Sequence, residues 1–155
     1  MMPDQNAGPW PDLAGRKTEF GHVLPVRVYY EDTDFSGIVY HASFLRFIER
    51  GRSDYIRLLG IHHHELDEGS EDERVAFAVR HMEIDYLKPA RIDDMLEVET
   101  RVSSIKGARM ILDQRVMCNG EVLFTAMVTV VVISRDGRPR RMPAQLKAAF
   151  EADQS

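Results

Sequence analysis

Two aspartates, a glycine and a histidine stand close together in the run Tyr29-Tyr30-Glu31-Asp32-Thr33-Asp34-Phe35-Ser36-Gly37-Ile38-Val39-Tyr40-His41. A strand-like segment leads into this run and a helix-like segment leaves it. The carboxylates and Gly37 therefore fall in the turn at a helix start. Backbone N–H groups there lack intrahelical partners and can polarise a bound oxygen. An aspartate with an ordinary pKa of about 3.9 is ionised at neutral pH, so it can take a proton from water or attack a carbonyl carbon. Gly37 would let a ligand come close to the backbone. The run could thus attack a carbonyl, although an Asp before a helix also serves as a plain turn or helix cap.

The elements that must hold this run are legible from periodicity. Val23 to Asp32 is expected as a strand with Val26, Val28 and Tyr30 on one face. His41 to Leu59 is expected as one long helix: Phe44, Phe47, Ile48, Gly51, Tyr55, Leu58 and Leu59 recur at helical spacing, while Arg46, Arg50, Arg52 and Arg57 fall largely elsewhere. Gly51 weakens a helix interior by ~1 kcal/mol relative to Ala, so close packing on something flat is the expected reason for it. Gly60 ends the helix, and Ile61 to Ser70 follows as a polar connector. Strands are expected at Val75 to Leu87, at Met95 to Ser103, at Met110 to Cys118 and at Val122 to Ile133, joined by turns at Lys106-Gly107 and Asn119-Gly120. The last of these is almost continuously apolar, which predicts a central strand covered on both sides. Pro143 to Ala152 reads as a short closing helix. Helix and strands are segregated, so the class is α+β, with one long helix against a curved antiparallel sheet of five or so strands.

Bulk properties narrow the functions. A chain of 155 residues is one domain by length and can bury a core without disulfides. We divide it into an N-terminal extension at 1–20, rich in proline near its start, and a folded domain at 21–155. The lone Cys118 fits a reducing compartment. No apolar run reaches the ~20 residues of a membrane span, and no basic-then-apolar leader begins the chain. A formal charge of −5 argues against nucleic acid as a partner, but leaves room for a small anion held by a few basic residues.

The pattern Asp32-Thr33-Asp34-x-x-Gly37-Ile38-Val39-Tyr40-His41, followed by Phe44, Phe47 and Glu49-Arg50-Gly51-Arg52, resembles the acyl-CoA thioesterases of the 4-hydroxybenzoyl-CoA thioesterase superfamily. Within it the likeness is to the YbgC-type branch associated with the Tol-Pal system. Glu73-Arg74-Val75-Ala76-Phe77 and Tyr86-x-x-Pro89-Ala90-Arg91-Ile92-Asp93-Asp94-Met95-Leu96 carry it further, and it runs from about Val26 to the last helix. The resemblance implies a hotdog fold, edge-to-edge pairing into a homodimer or homotetramer, and active sites at the subunit interface. It implies Asp34, not Asp32, as the general base or nucleophile, with Tyr30 and His41 as supporting catalytic groups. Gly37, Val39 and Tyr40 would lie against the substrate. Lys106 and Arg109 flank a turn that resembles the family's nucleotide-contact region. A related branch uses a helix glutamate as its catalytic carboxylate, which makes Glu49 the fallback; otherwise it is expected to pair with a neighbouring Arg.

Hydrolysis of an acyl-CoA, or of an acyl group on acyl carrier protein, is the activity so implied, with no cofactor and no metal. The location implied is cytoplasmic, with the inner-membrane surface as a place of action. A hydroxyacyl dehydratase on the same fold and a non-catalytic module docking a carrier protein or envelope partner are the alternatives. The first lacks an acidic partner for His41, and the second has no need of Asp34, Tyr30 and His41 together. His62-His63-His64-Glu65 lacks metal-site spacing and reads as a solvated connector. Gly51-Arg52-Ser53-Asp54-Tyr55 lacks the final glycine of a nucleophile elbow, which argues against a serine hydrolase.

Overall fold

The computed structural model describes residues 14–60 and 75–154. In chain order these form β1 (Arg16–Lys17), β2 (His22–Arg27), a 3-10 turn (Tyr30–Asp32), α1 (Ser43–Leu58), β3 (Ala76–Tyr86), β4 (Met95–Lys106), β5 (Arg109–Cys118), β6 (Glu121–Ile133) and α2 (Ala144–Gln154). The connector after Gly60 and the His62–Glu65 run lie outside the described residues, as does the Glu73-Arg74 pair.

One six-stranded antiparallel sheet runs in the order β1-β2-β4-β5-β6-β3. The strand beyond the expected five is β1, whose two residues are too few to show a period. It pairs with β2 inside the stretch read from sequence as the extension. α1 lies across the concave face and buries Phe44, Phe47, Ile48, Tyr55 and Ile56 against Leu96, Val98, Leu112 and Phe124. Gly51 is where helix and sheet come closest: a Cβ there would stand 2.6 Å from Val98 Cγ1 and 3.2 Å from Thr100 Oγ1. The closing helix α2 buries Leu146 and Phe150, and Phe150 stacks on Tyr55.

Three expectations are corrected. The first strand ends at Arg27, because the Asp32 carboxylate accepts from the Tyr29 N–H at 2.9 Å and bends the chain into the 3-10 turn. Tyr30 is thereby taken off the core face and is 84% exposed. β6 is covered on one face only over its middle: Phe124, Ala126 and Val128 point into the core while Thr125, Met127 and Thr129 stay partly open, so its unbroken apolar run reflects β-branched residues suited to either face. Successive residues are buried only at Leu123-Phe124 and at Val130 to Val132. Arg52, expected away from the apolar face, is buried at 9% exposure. Among the described residues no helix is long and apolar enough to cross a membrane.

Candidate active site

Residues 33–40 form a closed loop between the 3-10 turn and α1. Its base is the bridge between Thr33 and Val39, and its tip is a tight turn in which the Asp34 N–H donates to the Ile38 carbonyl at 2.9 Å and the Gly37 N–H to the Asp34 carbonyl at 3.1 Å. Gly37 has φ 83, a left-handed conformation that glycine adopts at no steric cost. The Val39 N–H donates to the Ala90 carbonyl at 2.8 Å, which ties the loop to the segment before β4.

The two aspartates of the loop are used differently. Asp32 is buried, and its carboxylate and carbonyl are engaged by the N–H groups of Tyr29 and Tyr40. Asp34 carries its carboxylate at the loop surface. Its oxygens are met by Ser36 alone among the described residues, through the Ser36 hydroxyl and through the Ser36 N–H at 2.8 Å. Those hydrogen bonds favour the ionised form and hold the Asp34 carboxyl below the usual aspartate range.

α1 starts at Ser43 rather than at His41, because residues 41 and 42 form a turn closed by the Ser43 N–H on the Tyr40 carbonyl. No side chain caps this end, and the His41 N–H meets no acceptor among the described residues. The His41 ring is exposed, 4.4 Å from Tyr40 and 6.3 Å from Tyr86 between centroids. Tyr86, given no role by the sequence beyond the family pattern, donates its hydroxyl to the His41 carbonyl at 2.8 Å and packs on Phe44 and Phe124. A hollow of about 300 Å³ opens beside His41, lined by Val39, Phe44, Tyr86, Leu87 and Pro89 among others. The loop thus carries an ionised carboxylate, and just after it an N–H without an acceptor among the described residues borders an apolar hollow whose lining does not include Asp34.

Other expected residues stand apart. The Tyr30 hydroxyl has no hydrogen-bond partner among the described residues, and Tyr40 is half exposed. Lys106 and Arg109 face each other at the β4–β5 hairpin. Arg109 is in register with Val131 and Tyr86 with Phe124, so the hairpin lies ~23 Å along β6 from the hollow, at about 3.3 Å per residue. Glu49 accepts from the Ser53 hydroxyl at 2.9 Å and closes no ion pair with a neighbouring Arg. Among the described residues no group of three or more His, Cys, Asp or Glu side chains could hold a metal.

Sequence comparison decides the family. Residues 28–150 match the thioesterase-like superfamily. The chain belongs to it. This thioesterase-like chain is 43% identical over 130 residues to the acyl-CoA thioester hydrolase YbgC of Escherichia coli, covering 82% of this chain and 93% of that one. It is 44% identical over 131 residues to the acyl-CoA thioesterase YbgC of Haemophilus influenzae, covering 84% and 94%. Among solved structures, a probable thioesterase from Bartonella henselae superposes with a TM-score of 0.76 at 46% identity, over 79% of this chain and 99% of that one. A Thermus thermophilus thioesterase complexed with coenzyme A and zinc superposes with a TM-score of 0.73 at 28% identity, over 85% and 93%. The α+β fold of this thioesterase-like chain is the hotdog fold.

Proposed function

We propose that this chain hydrolyses acyl-CoA thioesters to a free acid and coenzyme A, with Asp34 as the reacting carboxylate. The observation that carries the reading is the His41 N–H, unpaired among the described residues, beside an apolar hollow and directly after the closed loop that carries the ionised Asp34. The thioester carbonyl oxygen accepts from the N–H groups at the α1 start, which stabilise the negative charge that grows on it. Asp34 either takes a proton from a water that adds to the carbonyl carbon or adds to that carbon itself. In both courses the C–S bond breaks and the thiolate leaves, taking up a proton. In the second course water then cleaves the acyl–aspartate anhydride. His41 supplies or relays the proton to the thiol, Tyr30 orients the substrate, and Gly37, Val39 and Tyr40 lie along it. Thioester-hydrolysing relatives of this similarity support the same substrate class, and acyl carrier protein is an alternative donor.

The site is completed by a second copy. β3 is a long strand with one edge unpaired among the described residues, and Val79, Tyr86 and Leu87 are exposed beside it, an arrangement suited to pairing with another strand. Antiparallel pairing of β3 with β3 of a second copy would bring the hairpin end of one sheet to the hollow end of the other. Lys106 and Arg109 would then reach the phosphates of a coenzyme A held by the partner. The assembly is a homodimer, or a tetramer of two such dimers.

The decisive experiment is hydrolysis of a panel of acyl-CoAs by Asp34→Asn and Asp34→Ala. Rates near those of the parent protein on any acyl-CoA would end the assignment. A sedimentation series that finds only monomer at every concentration would end the paired-site part of it.

A further inference from the structure

α1 packs chiefly on β2, β4 and β5, and two hollows lie where the helix and β3 both contribute walls. Phe77, Val79, Met82, Ile84 and Tyr86 keep to one face of β3 because the bulge between Val79 and His81 shifts the register. One of the two is the hollow beside His41. The other is a cavity of about 220 Å³ with Ile56, Phe77, Met110, Leu112 and Val130 in its walls and Glu49, Arg52 and Ser53 on its helix side.

Arg52 is the unusual member of this cavity. It is nine-tenths buried, yet of its five N–H donors only one on Nη1 has a partner, Gln114 Oε1 at 3.0 Å. Gln114 is fully buried and fixed by its own donors, which reach the Ile48 carbonyl at 2.9 Å and Thr100 Oγ1 at 2.8 Å. The guanidinium is therefore held in place with its other donors turned to the cavity and unmet among the described residues. A few fixed polar groups in an apolar pocket are what orient a ligand. The negative charge of Glu49 beside Arg52 disfavours a carboxylate there and leaves a neutral oxygen as the fitting acceptor.

We propose that this second cavity is a subsite for the far end of the acyl group. There Arg52, positioned by Gln114, selects acyl chains that carry a hydroxyl or keto oxygen over plain alkyl chains. The inference rests on the thioesterase reading of the site. Phe44 and Arg52 are ~12 Å apart along the helix at about 1.5 Å per residue, so the oxygen belongs several carbons from the thioester.

The test is a set of CoA thioesters of equal chain length, unsubstituted or with one hydroxyl moved stepwise along the chain. The parent protein should favour the hydroxylated substrate at one position, by roughly 10- to 100-fold in kcat/KM, and not at its neighbours. Arg52→Met should close that gap, and Arg52→Lys, which keeps the charge without the planar fork, should restore part of it. No preference at any position in the parent protein, or a preference that survives Arg52→Met, overturns the subsite. The parent series decides alone if the Arg52 variants do not fold. A protein that hydrolyses every thioester without preference fails this inference only, whereas one that hydrolyses none fails the thioesterase reading as well.

Discussion

Near the N-terminal end of α1, Asp34 sits on an exposed turn with Ser36 as its side-chain partner, and among the described residues the His41 N–H is left open beside a hollow. Further along the same helix, Asp54 is buried under the N-terminal segment. Its Oδ2 accepts from the Gly15 N–H at 2.8 Å and lies 2.7 Å from His22 Nε2, while His22 is sealed from solvent. Burial works to raise the Asp54 pKa, but the bonds from His22 and Gly15 and the charges of His22 and Arg57 pull it below the ordinary value. Two aspartates on or beside one helix thus end with lowered pKa values for different reasons. The proposed reacting carboxylate is the exposed one, and the buried one is tied down by His22 and Gly15.

The contrast can be broken first at Asp34. Asp34→Asn should lower kcat/KM on acyl-CoA by ~10²-fold or more while thermal unfolding stays within the ±0.5 kcal/mol usual for surface changes. A variant that loses fold and activity together would make Asp34 a tied-down carboxylate like Asp54 instead. Gly51→Ala should do the reverse. Its Cβ would press on Val98, which is fully buried, and an overpacking cost of ~1–3 kcal/mol should outweigh the ~1 kcal/mol gained in helix propensity, as read by urea unfolding.

Asp54→Asn should cost ~1–3 kcal/mol near neutral pH by leaving buried donors poorly met. Because the folded pKa of Asp54 lies below its ordinary 3.8, that contribution is full above 3.8 and is lost as pH falls through the lowered folded value. Unfolding curves of parent and variant should therefore converge in acid, and a constant gap would contradict the linkage. Ser36→Ala removes a hydrogen bond that favours the Asp34 carboxylate, so the acid limb of the rate profile should move to higher pH. An unmoved limb would assign it to another group. The smallest effect expected is for Tyr86→Phe, which frees the His41 carbonyl at a cost of ~0.5–1.5 kcal/mol in stability.

Much of this was legible in the chain beforehand. The long amphipathic helix, the four long strands and the hairpin at Asn119-Gly120 follow from apolar spacing and turn chemistry, and Gly51 announced the close approach of helix to sheet. Asp34, Gly37 and His41 were legible as a loop entering a helix. What escaped was polar and non-local. Arg52 is a charged residue in a helix and carries no local sign that Gln114, far along the chain, will draw it inward. His22 and Asp54 come together only once β2 and α1 are packed. Asp32 looked like a strand residue because periodicity cannot register a side chain that captures the Tyr29 N–H. Tyr86 looked like a strand aromatic because its partner is a backbone carbonyl near the start of α1.

Gly15 roofs a buried carboxylate. A Cβ at that position would stand 2.4 Å from the Val23 carbonyl oxygen, 2.5 Å from His22 Nε2 and 2.7 Å from Asp54 Oδ2, so no larger side chain fits without moving the pair it covers. Its N–H is also one of the two donors that hold the Asp54 charge. A chain shortened to begin at Arg16 would unroof that buried carboxylate. Stability should fall near neutral pH, and the difference should fade in acid.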